Sequence, residues 1–92
     1  MKTIYKYGLS ITDTQNVQMP FGARILCVQV QRGTPCIWAE VDTEEERTEM
    51  RRIDIYGTGH PMDRNPEFGS SYIGTFQVRD GDFVFHVYER VL

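Results

Sequence analysis

The residue types best suited to chemistry are concentrated in one irregular stretch, residues 57–69. A loop longer than about 12 residues in a small domain often carries function. Its Gly-Thr-Gly start would let backbone amides approach a phosphate, a histidine beside an aspartate can form an acid/base pair, and an arginine can hold an anion. The stretch therefore predicts a site for a small ligand, a nucleotide or another anion, formed by Gly57, Thr58, Gly59, His60, Asp63 and Arg64.

The same loop has a plainer interpretation, in which its glycines only shape the exit from a strand. The Gly-Thr-Gly-His-Pro segment has the spacing of neither a P-loop nor a dinucleotide-binding motif, and no strand–helix unit surrounds it. The sequence leaves both interpretations open.

Catalytic and metal-binding signals are weak. No Gly-x-Ser-x-Gly segment is present, and Cys27 and Cys36 lie in predicted strands, where cysteine is usually a small buried hydrophobe. Two histidines and scattered carboxylates do not predict a metal site, and nothing predicts a cofactor. A pair of one cysteine with His60 or His86 stays open, because a sequence does not show the proximity that such a pair needs. We therefore predict no catalytic residue, and an enzyme is the weakest functional interpretation.

The elements that must position these residues are strands, recognised by two-residue alternation of apolar and polar side chains. We predict seven of them, at Lys2–Leu9, Asn16–Met19, Arg24–Gln31, Pro35–Asp42, Arg52–Tyr56, Tyr72–Val78 and Phe83–Tyr88. Short strands at this spacing favour a single antiparallel β-sandwich or partly open barrel over residues 1–92. The expected core residues are Val28, Val30, Ile37, Ile53, Phe76, Phe83 and Phe85.

The hairpin of the third and fourth strands carries the clearest register prediction. A two-residue turn at Arg32 and Gly33 pairs Val28 with Ile37, Leu26 with Ala39 and Val30 with Pro35 on one face, and Cys27 with Trp38 and Ile25 with Glu40 on the other. A bulge at the turn would exchange the faces. The second face, formed by Ile25, Cys27, Trp38 and Glu40, is either a second buried core or a surface that binds a partner.

Composition and charge exclude some classes of function. The net charge of −3 opposes binding to a nucleic-acid backbone, and no apolar run approaches the roughly 20 residues that span a bilayer. The first residues lack the apolar segment of a secretory signal, so a cytoplasmic location is expected. The acidic run 42–49 would suit a basic partner, or is simply a solvated turn.

Several stretches together resemble a family of short uncharacterised proteins found in bacteriophages and bacterial genomes. They are Ile4–Tyr7, Ile11–Asp13, Met19–Gln29, Pro35–Asp42, Tyr56–Pro61, Tyr72–Phe76 and Phe83–Val87. The resemblance implies a phage or prophage setting and no particular activity. The leading hypothesis is therefore a non-enzymatic binding module that acts on a host or phage protein. The alternatives are a small-ligand protein that uses the 57–69 loop, and a virion protein that self-associates.

Overall fold

The computed structural model describes residues 1–62 and 69–91, and they form seven β-strands. The strands are β1 (Lys2–Gly8), β2 (Thr14–Pro20), β3 (Arg24–Gln31), β4 (Thr34–Asp42), β5 (Thr48–Gly57), β6 (Gly69–Val78) and β7 (Phe83–Val91). The predicted all-β class and strand number are confirmed. No helix long and apolar enough to cross a membrane occurs within the described residues.

The strands form two antiparallel sheets. A three-stranded sheet has the order β1-β4-β3, and a four-stranded sheet has the order β2-β5-β7-β6. Each sheet buries one face against the other, as two-residue alternation requires. The buried core combines Val28, Ile37, Ala39 and Val41 of the smaller sheet with Met19, Ile53, Ile55, Phe76 and Val87 of the larger one.

The edges of the two sheets meet where β3 approaches β6. A methyl group built on Gly74 would lie 2.8 Å from Cγ1 of Val28, so only glycine allows this approach. The β6–β7 register also shifts between Tyr72 and Gly74, which leaves Ile73 as an extra residue that packs against the core. A bulge with a glycine beside it is a common way to bend a strand at a sheet corner.

The β3–β4 register agrees with the prediction only near the turn. Val28 faces Ile37, Val30 faces Pro35 and Cys27 faces Trp38, as expected. Arg32 and Gly33 have φ values of 52° and 80°, which matches a two-residue turn. Beyond Cys27 the prediction is wrong, because a bulge at Leu26 pairs Ile25 with Ala39 and Arg24 with Glu40.

The bulge also corrects the predicted core. Ile25 now packs against the core, while Leu26 is 39% exposed. Phe83 was expected in the core and is 47% exposed, since it lies at the turn end of β7, opposite Val78. The other expected core residues are buried or pack against the core.

Candidate functional site

The outer face of the three-stranded sheet carries an apolar centre. Ile4 is 56% exposed and Leu26 is 39% exposed, and they flank the partly buried Cys27 and Trp38. β4 pairs with β1 on one side and with β3 on the other. These pairings place Ile4 beside Glu40 and Cys27 beside Trp38. We call the surface of Ile4, Leu26, Cys27 and Trp38 the tryptophan face.

Charged and amide side chains surround the tryptophan face. Lys2 Nζ lies 3.4 Å from a carboxylate oxygen of Glu40, and Lys6 Nζ donates to Gln31 Oε1 at 2.7 Å. Arg24 pairs in register with Glu40 at the other edge. An apolar centre within a polar rim is the usual anatomy of a protein–protein interface.

Three of the four residues predicted for partner binding lie together on or beside this face. Cys27, Trp38 and Glu40 share the outer side of the sheet, whereas the bulge turns Ile25 inward. Ile4 and Leu26 were missed as members of the face. Ile4 could have been found from the sequence. Lys2 and Lys6 lie on the same side of the predicted strand as Ile4, and they mark that side as polar. Nothing in the sequence locates the Leu26 bulge.

The outer face of the four-stranded sheet is built differently, around His86. His86 Nε2 lies 2.7 Å from Thr58 Oγ1, and His86 Nδ1 lies 2.9 Å from Thr75 Oγ1. Tyr72 extends this chain, with its hydroxyl 2.5 Å from Thr75 Oγ1. Tyr88 packs edge-to-face against Tyr72 at a centroid distance of 5.4 Å. We call the surface of Thr58, Tyr72, Thr75, His86 and Tyr88 the histidine face.

The predicted loop site reaches the histidine face through Thr58. The Thr58 amide donates to Val84 O, and its hydroxyl is the partner of His86. Gly59 takes a positive φ of 85° in a turn closed by the His60 amide, which donates to Gly57 O. The His60 ring lies where a Gly57 side chain would stand. Asp63 and Arg64 lie outside the described residues.

The chemistry of His86 is that of a hydrogen-bonding group. A hydroxyl can donate or accept, so both ring nitrogens are satisfied in either neutral tautomer. These contacts are those of a strand histidine whose ring nitrogens are satisfied by the fold itself. The described residues contain no cluster of three side chains suited to hold a metal ion.

A buried ion pair lies on the same outer side of the four-stranded sheet. Asp54 is 1% exposed and accepts hydrogen bonds from Arg90 Nε at 3.0 Å and Arg90 Nη2 at 2.8 Å. Next to it, Tyr56 is 4% exposed and packs edge-to-face on Tyr88. Sequence reasoning did not find this pair, because alternation alone assigns Asp54 to a solvated side.

A second arginine ties the β2–β3 turn to the four-stranded sheet. Arg51 donates to the Glu89 carboxylate through Nε and Nη2, and its Nη1 donates to Ala23 O at 2.6 Å. The hydrogen bonds with Glu89 raise the pKa of Arg51. Glu49 accepts from the Gly22 amide at 2.8 Å. All of these contacts join elements of the chain itself, so we assign them a structural role.

Both cysteines are free thiols. Cys36 is 3% exposed and donates to Thr34 O at 3.4 Å, which is the behaviour of a small buried hydrophobe with a weak donor. Cys27 is partly buried beside Trp38, and the histidine face lies on the other sheet. The structure therefore does not bring Cys27 or Cys36 to His86.

Comparison with known proteins identifies a family to which no activity has been assigned. No curated protein and no solved structure shows significant similarity to the chain. The model of the family described as "Domain of unknown function (DUF7352)" matches residues 1–92. This match confirms the resemblance to an uncharacterised family. Since the match spans all 92 residues, this two-sheet β protein belongs to the family of the domain of unknown function DUF7352.

Proposed function

We propose that the protein is a non-enzymatic module that binds another protein through the tryptophan face. The observation that carries the proposal is the exposure of Ile4 and Leu26 beside Trp38 on the outer side of a sheet whose inner side already forms the core. Tryptophan is enriched among the residues that dominate binding energy, and clustered exposed apolar side chains mark interaction sites.

The rim of the tryptophan face favours an acidic partner. The chain carries a net charge of −3, yet Lys6 and Arg24 place two cations on this side of the molecule. Complementary charge speeds the encounter of two proteins and selects against wrong partners. The partner we propose therefore has an apolar patch within an acidic rim. The resemblance to phage and bacterial sequences suggests a phage protein or a protein of its host.

The test of this function uses Leu26, because the bulge leaves it outside the regular β3–β4 pairing. Wild-type protein, Leu26→Glu and Met50→Glu are immobilised and exposed to a lysate of the cells in which the protein is naturally made. Met50 is the matched control, an apolar strand residue that is 63% exposed on the other sheet. Proteins retained by wild type and Met50→Glu but not by Leu26→Glu are identified, purified and titrated.

We expect the purified partner to bind Leu26→Glu at least about tenfold more weakly than wild type, because a charge then enters an apolar contact. Binding to Met50→Glu should equal wild type, and raised salt should slow association. If every retained protein binds Leu26→Glu and wild type equally well, the tryptophan face is not the docking surface.

A second candidate function is small-ligand binding at the histidine face. The observation in its favour is that Thr58, from the predicted loop site, meets His86 and Thr75 in one line of hydrogen-bonding groups. Hydroxyl and imidazole groups suit a nucleotide or another anion. A thermal-shift panel of nucleotides and inorganic phosphate tests it, since a ligand of the native state raises the unfolding temperature. A shift lost in Thr75→Val would support the site, and no shift at saturating ligand would remove it.

A further inference from the structure

Among the described residues, no strand pairs with β1 on the side away from β4, so β1 is an edge of the three-stranded sheet. Its backbone shows which residues face outward. Leu9 N donates to Pro35 O and Thr43 N donates to Met1 O. In an antiparallel pair this places the odd-numbered residues of β1 in hydrogen-bonded pairs with β4. The amide and carbonyl groups of Lys2, Ile4, Lys6 and Gly8 therefore point away from β4, toward the open edge.

The edge at β2 is protected in a way that the edge at β1 is not. Ile55 N donates to Asp13 O and Phe21 N donates to Arg47 O, so the even-numbered residues of β2 face outward. Pro20 is one of them, and it has no amide hydrogen to offer a further strand. No proline interrupts β1.

Lysines often protect an edge strand, but those of β1 extend back over their own sheet. The Lys2 ammonium lies beside Glu40 of β4, and Lys6 Nζ reaches Gln31 of β3. Both charged ends therefore lie over the sheet and leave the edge uncovered. Protection by charge requires side chains that project into the path of an incoming strand.

We propose that β1 pairs antiparallel with β1 of a second copy about a two-fold axis, which joins the two three-stranded sheets into one continuous sheet. A second copy of the chain is the proposed partner because the edge of β1 is complementary to itself in one register. With Tyr5 opposite Tyr5 of the second copy, the outward-facing Ile4 pairs with Lys6, and Lys2 pairs with Gly8. This register has no like-charge pair, whereas the register centred on Ile4 would set Lys2 against Lys6.

The register also covers exposed apolar side chains. Tyr5 is 43% exposed and Ile4 is 56% exposed in the single chain. Pairing sets the two Tyr5 rings side by side across the axis and brings Ile4 of each copy opposite Lys6 of the other. An isologous contact of this kind closes on itself and gives a dimer. The dimer rests on the backbone of β1 and shares Ile4 with the tryptophan face, whereas Leu26, the residue that tests the proposed partner, lies on β3.

The test begins with light scattering and amide exchange of the wild-type protein over a wide concentration range. We expect the mass to rise from 10.7 kDa to twice that value. Amide exchange reports the strand involved. The amides of Lys2, Ile4, Lys6 and Gly8 should exchange fast in the monomer and slowly in the dimer, while odd-numbered β1 amides are protected in both. A monomer at millimolar concentration, or a dimer without this alternating protection, would overturn the proposal.

Two substitutions then test the edge and its register. Ile4→Pro removes an outward amide and no hydrogen bond to β4, and it should weaken the dimer at least about tenfold. Gln18→Pro is the matched control, since it removes an outward amide from β2 and should leave the dimer unchanged. If only Gln18→Pro yields monomers, β2 is the interface and the proposal is wrong.

The charge variants remain informative should Ile4→Pro fail to fold. Ile4→Lys keeps a favourable neighbour in its own Glu40 but places a lysine opposite Lys6 of the second copy, so it should dissociate the dimer. Adding Lys6→Glu restores an opposite-charge pair in the Tyr5-centred register and should restore the dimer. A double variant that is as monomeric as Ile4→Lys would contradict this register.

Discussion

The two outer faces of the sandwich differ in what holds their side chains. On the histidine face, Thr58, His86, Thr75 and Tyr72 are joined by consecutive hydrogen bonds, and the Asp54–Arg90 pair is buried on the same side of the sheet. On the tryptophan face, the exposed aliphatic side chains of Ile4 and Leu26 lie among charged groups that bond only to the rim. A polar surface whose groups satisfy one another contributes to the fold, whereas an exposed apolar surface gains most from contact with a partner.

The largest expected difference between the faces is in stability. Asp54→Ala leaves the Arg90 guanidinium, whose side chain is 9% exposed, without its carboxylate. Breaking a buried ion pair from one side costs about 3–5 kcal/mol in the free energy of unfolding. Urea unfolding measures this cost. Asn16→Ala, which breaks the exposed contact between Asn16 Oδ1 and Arg52, is the control and should cost less than about 1 kcal/mol. Equal losses of unfolding free energy in Asp54→Ala and Asn16→Ala would show that burial does not make the Asp54–Arg90 pair more costly to break.

A smaller effect is expected from the hydrogen bonds of the histidine face. Thr58→Val removes the hydroxyl that lies 2.7 Å from His86 Nε2, with a cost of about 1 kcal/mol in unfolding free energy. The amides of Thr58 and His60 should also exchange faster with solvent, because their turn loses its side-chain contact with β7. Thr34→Val, at an exposed threonine of β4, is the control. Unchanged exchange at both amides would mean that the hydroxyl does not hold the turn.

The tryptophan face should tolerate a charge. Leu26→Glu is expected to change the free energy of unfolding by no more than about 0.5 kcal/mol, because the residue is exposed at a bulge. Ile37→Ala, a fully buried position in the neighbouring strand, should cost about 2–5 kcal/mol. Urea unfolding of both variants makes the comparison. A large loss in Leu26→Glu would mean that Leu26 supports the fold, and loss of binding in that variant would then carry no information about the partner.

The smallest effect concerns Asp42, at the end of β4, whose Oδ1 accepts from the Glu44 amide at 3.0 Å and from the Met1 ammonium at 3.4 Å. The backbone hydrogen bond is the main cause that lowers the pKa of Asp42 below its ordinary value of 3.8, and the ammonium adds to it. A lowered pKa in the folded state stabilises the protein above pH 3.8, and this stabilisation is lost as the pH falls through the folded value.

Unfolding temperatures of wild type and Asp42→Asn should therefore differ slightly at neutral pH and converge below pH 3.8. Glu46→Gln removes a charge from the same acidic run without removing the hydrogen bonds of Asp42, and is the control. A difference between wild type and Asp42→Asn that persists unchanged in acid would contradict the assigned cause.

Much of the fold could be predicted because alternation and turn chemistry are local properties. The turn at Arg32 and Gly33, and the turn at Asp80 and Gly81 closed by the Asp82 amide on Arg79 O, follow from a glycine that takes a positive φ at low cost, although the positive φ of Arg32 does not follow from its residue type. The bulge at Leu26 could not be predicted, since Ile25 to Val28 are all apolar and no local pattern records which of them faces inward. That single residue moved Ile25 from the expected binding surface into the core.

The candidate sites were predicted in part for a related reason. The loop was singled out by residue type, and its Thr58 does meet His86, but the partner belongs to a strand 28 positions further along the chain. The Asp54–Arg90 pair likewise joins β5 to β7, at a separation of 36 positions. No local pattern records which strands are neighbours in a sheet.

By itself the sequence determined the β class, the seven strands, the turns and the inner face of most strands, because these depend on the alternation and φ preferences of neighbouring residues. The tertiary structure alone decided which strands pair, where β3 and β6 bend, and which outward side chains find a partner. The reason is that burial and hydrogen bonding between distant residues are set by sheet order and register. The tryptophan face and the edge at β1 both depend on this sheet order and register.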